Sequence, residues 1–316
     1  MERKWPAIKT IDLTRRISHQ TVVDHVNMHV DCAEIYGLIG RNGTGKSTFM
    51  KLIRGSVPPS SRTVEILGQQ MAPGAFHARA SALIEDPSFH PGLSGHDNIR
   101  CRAYALGLPK PRQATELALQ RAGLTNVSHE KARTYSFGMK RRLGIALALV
   151  GNPGLLILDE PFNGLDIEST LKLRQVLMEL AGRWNTAVLI SSHVPDQLNG
   201  LVARYGAMVN GRLTVEKTAD EVSRECSGQI IVRSHQAEVA LIAIENAYPR
   251  ANVSFTADGS VQLNADVGTV AVTRTLLQAG IEASDVYIRE GNVGEYLANL
   301  IASPHHAHPS STQGGR

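Results

Sequence analysis

The sequence predicts an α/β protein in which a parallel sheet is covered by helices on both faces, interrupted by a helical insert and followed by a smaller α+β domain. Three observations carry this reading. Up to about Asn210, short β-rich runs alternate with helical stretches, and the runs IYGLIG, LLILD and AVLIS are apolar throughout rather than alternating. Strands buried on both faces have that composition. Between about Phe89 and Val150 the strand signals vanish, and LSGHDNIRCRAYALGL, PRQATELALQRAGL and FGMKRRLGIALALV read as helical material. After Gly211 the composition shifts again, which places a first domain over residues 1–215, its helical part over 89–150, and a second domain over 220–302.

The second domain reads in order as strand QIIVR, a helix around QAEVALIAIENAYP, strand NVSFT, a turn at Ala257 to Gly259, strand SVQLN, a helix around VGTVAVTRTLLQAG and strand DVYIR. A βαββαβ order of this kind suits a ferredoxin-like domain. A last apolar helix, VGEYLANLIA, precedes SPHHAHPSSTQGGR. That Ser/Pro/Gly/His tail over 303–316 is expected to be disordered, and its histidines read as a solvated tail.

Composition narrows the function classes. A chain of 316 residues with 42% hydrophobic and 20% charged content is large enough for two globular domains. No run reaches the roughly eighteen apolar residues a spanning helix needs; LVGNPGLLIL and TAVLISS are short and read as buried strands. The start, MERKWPAIKT, lacks the apolar core of a secretory signal, so a cytoplasmic protein is expected. Cys32, Cys101 and Cys226 lie far apart without a CxxC pattern, which argues against a disulfide framework and against zinc. The net charge of +4 is spread without interleaved aromatics, so no nucleic-acid partner is expected. Arg133, Lys140, Arg141 and Arg142 form the densest basic group, read as part of a nucleotide site or a helix surface.

The strongest chemical signal is GRNGTGKS, Gly40 to Ser47, set between strand EIYGLI and helix STFMKLIRG. Glycines let backbone N–H groups curl around phosphate oxygens while the helix presents its positive end. Lys46 would neutralise β and γ charge, and Ser47 would offer its hydroxyl to Mg²⁺. Arg41, Asn42, Gly43, Thr44, Gly45 and Thr48 complete the expected nucleotide contacts. At LLILDE, four apolar residues end in Asp159 and Glu160. Parallel strands deliver ligands at their carboxyl ends, so Asp159 can hold the Mg²⁺ shell and Glu160 can polarise an attacking water. AVLISSH ends at His193 in an equivalent position; alone it reads as structural, and beside the other motifs it can hold Glu160 and the water in register. SFG opens a helical run, so Ser136 and Gly138 sit at a helix amino terminus suited to an anion.

The order GRNGTGKS, IEDP, YSFGMKRR, LLILDEP, NGLD and SSH resembles the nucleotide-binding domain of ABC transporters over roughly Ile8 to Gly211. The resemblance implies a P-loop ABC cassette that binds and hydrolyses ATP with Mg²⁺. It makes Gly40 to Thr48 the Walker A loop, Asp159 the Walker B aspartate, Glu160 the catalytic glutamate, Asn163 to Asp166 the D-loop, and His193 the switch histidine. Asp166 then joins the nucleotide contacts, and Glu85 stands with Ser47 and Asp159 at the metal. Family cassettes pair head to tail, so Ser136 and Gly138 would face a second copy's nucleotide. This chain departs from the family pattern at three places: Tyr135, Phe137 and Met139 in the signature, Glu85 where a glutamine is usual, and Ile17 where an aromatic stacks on the base. Glu85 with YSFGMKRR resembles the bacitracin-resistance and lantibiotic self-protection exporters. The resemblance implies a separate permease at the inner face of the cell membrane, with a homodimer of cassettes. Two other readings stay open: a soluble ABC-type ATPase acting on ribosome or DNA, and a poorly hydrolysing nucleotide-gated regulator.

Overall fold

The computed structural model describes residues 5–302 apart from 62, 85, 86, 227, 257, 265, 266 and 290. Glu85, Ala257 and the 303–316 tail therefore lie outside the described residues. The chain divides into two compact units, Met1–Ala219 with Leu297–Arg316, and Asp220–Tyr296.

The first unit runs β1 (Ile8–Ile17), β2 (Gln20–Val30), β3 (Ile35–Ile39), α1 (Lys46–Arg54), β4 (Val64–Ile66), β5 (Gln69–Met71), β6 (Ala80–Leu83), α2 (Gly95–Ala105), α3 (Pro111–Arg121), α4 (Phe137–Leu149), β7 (Leu155–Leu158), α5 (Ile167–Gly182), β8 (Ala187–Ser192), β9 (Arg204–Val209) and β10 (Arg212–Thr218). Its main sheet has the order β10-β9-β3-β8-β7-β6. All neighbours from β9 to β6 are parallel. Every residue of β3, β7 and β8 is buried, as the uninterrupted apolar runs require of strands covered on both faces. β10 returns antiparallel to β9 through Asn210 and Gly211, whose φ values of 48° and 81° are those of a tight hairpin turn.

A second, antiparallel sheet with the order β2-β1-β4-β5 stands beside the parallel one. Its inward residues Ile8, Leu13, Val23, Val26, Val30, Val64 and Ile66 join Leu38, Phe49, Met50 and Leu155 in one core. The run LVGNPGLLIL is not a strand throughout. Leu149 ends α4, the Gly151–Gly154 stretch turns, and only Leu155–Leu158 extends, because Asn152 at φ 50° and the following proline break the helix. From α2 to α4 the named elements are helical.

The second unit contains β11 (Gln229–Arg233), α7 (Ala237–Ala247), β12 (Ser254–Phe255), β13 (Val261–Asn264), α8 (Thr269–Gln278) and β14 (Asp285–Arg289), and it is preceded by α6 (Ala219–Glu225). The sheet order β12-β13-β11-β14, antiparallel throughout, is the ferredoxin-like arrangement. Ile230, Val232, Val261 and Leu263 meet Ala240 and Ile244 of α7 and Val272 and Leu276 of α8 in an apolar core. A last helix, α9, spans Val293–Ala302.

Candidate nucleotide site

The site forms at the carboxyl ends of β3, β7 and β8. β3 stops at Ile39, and the chain from Gly40 to Gly45 curls before α1 begins at Lys46. Two glycines here are required by close approach. A β carbon at Gly40 would stand 2.5 Å from the Met208 carbonyl oxygen, and one at Gly45, where φ is 99°, 2.5 Å from the Val22 carbonyl oxygen. The loop is also propped from outside, since the Gly211 amide of the β9–β10 turn donates to the Thr44 carbonyl at 3.0 Å. α1 carries no acidic residue in its first turn and has Lys51 and Arg54 in its last, which leaves its positive pole uncompensated for an anion. Arg41, Asn42, Gly43 and Ser47 are exposed around this loop, and Thr44 and Thr48 are half-buried.

Lys46 is buried, with 5% of its surface exposed, and its Nζ donates to the carbonyls of Gly40 at 2.6 Å and Arg41 at 3.2 Å. Burial pushes its ammonium below the usual lysine range, against the opposing pull of the Glu160 and Asp159 carboxylates. Lys46 Nζ also lies 3.7 Å from Glu160 Oε1, a buried atom with no hydrogen-bond partner.

Glu160 is held from four sides. Its Oε2 meets His193 Nδ1 at 2.8 Å and accepts from the His193 amide at 3.3 Å. Its own amide donates to Ser191 Oγ at 2.9 Å, and its carbonyl accepts from Arg141 Nη2 at 2.8 Å. Ser191 Oγ in turn donates to Asp159 Oδ1. The backbone of Glu160 is left-handed, at φ 47°, uncommon for a residue with a β carbon. Lys46, Asp159, Glu160 and His193 are thus connected by contacts among themselves or through Ser191.

Ser136 and Gly138 lie in a different setting. Ser136 caps α4 by accepting from the Met139 amide at 3.2 Å, and it is exposed. Gly138 is buried, and a β carbon there would collide with Ser169 Oγ on α5, so close helix packing alone requires a glycine. Asp166 caps α5, accepting from the Ser169 amide at 2.6 Å, and this bond holds its carboxyl below the usual range. Ile17 is exposed at the end of β1.

The motifs do not mark two participants. SSH points to its histidine rather than to Ser191, whose place at a strand end level with Asp159 is the available signal. Of the two settings expected for Arg141, the helix surface is not the one it takes: it is 8% exposed and turned toward the Glu160 backbone, because it shares the buried face of α4 with Gly138, Gly144 and Ile145.

A glycine loop that opens onto a helix, a buried lysine and a carboxylate pair at the next strand ends define a nucleotide-hydrolysing enzyme of the P-loop class. A family model described as ABC transporter matches residues 23–163. The chain is 30% identical over 297 residues, 93% of its length and 97% of the relative's, to the bacitracin transport ATP-binding protein BcrA of Bacillus licheniformis. It is 34% identical over 214 residues, 67% of its length and 91% of the relative's, to the lantibiotic transport ATP-binding protein SrtF of Streptococcus pyogenes. Its fold is similar, at TM-score 0.58 and 19% identity over 67% of this chain and 98% of the other, to a dimeric ATP-binding cassette in a post-hydrolysis state with ADP and Pi. The chain belongs to the ATP-binding proteins of the ABC transporter family. It is accordingly an ATP-binding, ATP-hydrolysing transporter subunit, and among the described residues no helix is long and apolar enough to cross a membrane.

Proposed function

We propose that the protein powers export of an antimicrobial peptide or a similar amphiphile through a separate permease, as a homodimer on the inner face of the cell membrane. The observation that carries the ATPase part is the cluster in which Glu160 lies 2.8 Å from His193 Nδ1 and 3.7 Å from Lys46 Nζ. Phosphate oxygens would replace the carbonyls that Lys46 now contacts, drawing the ammonium onto the β and γ charges. The same loop's amides and the start of α1 would take the remaining phosphate charge. Glu160, relieved of Lys46, would accept the proton of the attacking water, while His193 fixes the carboxylate's second oxygen.

Mg²⁺ fits the residues present: an exposed Ser47 hydroxyl opens α1, and Asp159 supplies a carboxylate whose Oδ1 is tied down by Ser191. One hydroxyl, one carboxylate and phosphate oxygens are the hard donors this ion prefers, and it would neutralise charge on the transferring phosphoryl group. Glu85 is proposed as a further member of this set and as the link to the permease. Ser136 and Gly138 are proposed to close on a second copy's nucleotide with Asp166 and its D-loop neighbours. The dimeric form of the related cassette supports that pairing.

The cargo rests on the bacitracin and lantibiotic transport relatives, the first of which aligns across both units of this chain. A groove of about 610 Å³, lined in part by Ile84, Pro87 and Ser88, supports a docking place for the permease. Lys51 and Arg54 of α1, Arg102 of α2 and Leu147 of α4 line it, and its described lining includes no carboxylate. Acidic residues on the permease's cytoplasmic helix would complement it.

The test is Mg-ATP hydrolysis by wild type beside Glu160→Gln, with and without membranes containing the permease. Glu160→Gln should reduce hydrolysis by on the order of 100-fold or more while retaining ATP and trapping an ATP-bound dimer, and the permease should stimulate only the wild type. Hydrolysis at the wild-type rate in Glu160→Gln, or a mutant that stays monomeric at saturating Mg-ATP, would break the reading.

A further inference from the structure

We infer that Arg141 is a positioning residue for ATP hydrolysis, acting through the backbone of Glu160 rather than on the nucleotide. The inference rests on the reading of Glu160 as general base. It begins with a conformational fact: Glu160 sits at φ 47°, where a β carbon crowds the neighbouring carbonyl and an ordinary residue does not stay unless its surroundings hold it. The surroundings do so at both ends of the residue. Ser191 Oγ on β8 takes the Glu160 amide at 2.9 Å, and Arg141 Nη2 on α4 donates to the Glu160 carbonyl at 2.8 Å. Arg141 Nε additionally points at the next carbonyl, that of Pro161, at 3.5 Å.

A charged donor on a neutral carbonyl makes a stronger bond than a neutral pair. Arg141 is also locked in place, because Gly138 brings α4 against Ser169 of α5 and Gly144 brings it against Pro87. Without the guanidinium, the Glu160 carbonyl would be free to swing and the residue free to leave the left-handed region. The carboxylate would then move out of line with His193 and Lys46, while the phosphate loop, built on β3 and α1, would be untouched. The geometry therefore separates two quantities: Arg141 should govern the rate of the chemical step and leave nucleotide affinity alone.

Three proteins test this: Arg141→Met, which keeps the reach and removes the donors; Arg141→Lys, which keeps one charged donor; and Arg142→Met, the same change one residue on, where the guanidinium instead reaches the Gly123 carbonyl. Arg141→Met should lower kcat by about ten- to a hundredfold with affinity for a fluorescent ATP analogue within about twofold of wild type. Arg141→Lys should recover part of the rate, and Arg142→Met should keep it. In single turnovers, adding Arg141→Met to Glu160→Gln should cause no further slowing, because both act through one group. Should Arg141→Met fail to fold, Arg141→Lys carries the same cycle.

A folded Arg141→Met with wild-type kcat would overturn the assignment. So would a slowing as large in the Glu160→Gln background as in the wild type, since that marks a general structural loss. Glu160→Gln at the wild-type rate would instead remove the reading of Glu160 on which this rests, so the two failures are distinguishable.

Discussion

The two units solve different problems with their interiors. In the first, polar and charged groups are taken out of water and used: Lys46, Arg141, Ser191 and Ser192 are all buried, and Lys46, Arg141 and Ser191 converge on Glu160 and its immediate neighbours. In the second, the core is Ile230, Val232, Ile244, Val261, Leu263, Val272 and Leu276, apolar side chains packed on one another. Buried polar groups are costly unless bonded, and the first unit keeps several of them bonded around Glu160, whereas the named core of the second is apolar. The contrast explains why the motifs all fall in the first unit although both are folded domains.

That comparison can be broken most sharply at Lys46. Lys46→Ala removes a buried cation that faces two carboxylates, and it should lower ATP hydrolysis by at least about 100-fold and weaken ATP binding, read from steady-state rates and nucleotide titration. Leu263→Ala tests the opposite claim. It should cost the second unit about 2–5 kcal/mol in a denaturation experiment while hydrolysis per folded molecule stays unchanged. A large loss of rate there would show that the second unit takes part in the chemistry.

The smallest effect sharpens the electrostatics. Burial depresses Lys46, so the folded protein holds that proton less firmly than the unfolded chain, and stability should rise with pH through the window just below the ordinary lysine value of 10.5. Nucleotide phosphate should pull the proton back. Calorimetry in buffers of different ionisation enthalpy should then record proton uptake on ATP binding in that alkaline window, and none near neutrality from this group.

Much of this was legible in the residues. IYGLI, LLIL and AVLISS read as strands because each is apolar from end to end apart from its small polar residues, and the glycine loop falls between such a strand and a helix, as its motif requires. The βαββαβ order after Gly211 was visible in alternating periodicities. What was not legible depends on contacts between distant positions. Ser191 reaches Asp159, and Arg141 reaches Glu160, across stretches of chain that only the sheet and the α4 packing bring together. Spacing along the sequence carries no trace of the Arg141 bond, and it marks Ser191 only by its place at a strand end level with Asp159. Gly138 teaches a related lesson: a glycine at a helix start reads as an anion contact, whereas packing against Ser169 is sufficient reason for it. In the antiparallel sheet beside the main one, β4 and β5 span only Val64–Ile66 and Gln69–Met71, too short to show a period.

The turn at Asn210 and Gly211 has a consequence for the protein's ageing. Asparagine followed by glycine is the dipeptide most prone to deamidation, in which the glycine's amide nitrogen attacks the asparagine side chain to form a succinimide. Here that nitrogen is engaged, donating to Thr44 at 3.0 Å, and Gly211 is pressed against Val22. The bond that props the glycine loop therefore also ties down the attacking atom. Slow conversion of Asn210, followed by mass spectrometry on stored protein, becomes a clock for how often that loop lets go.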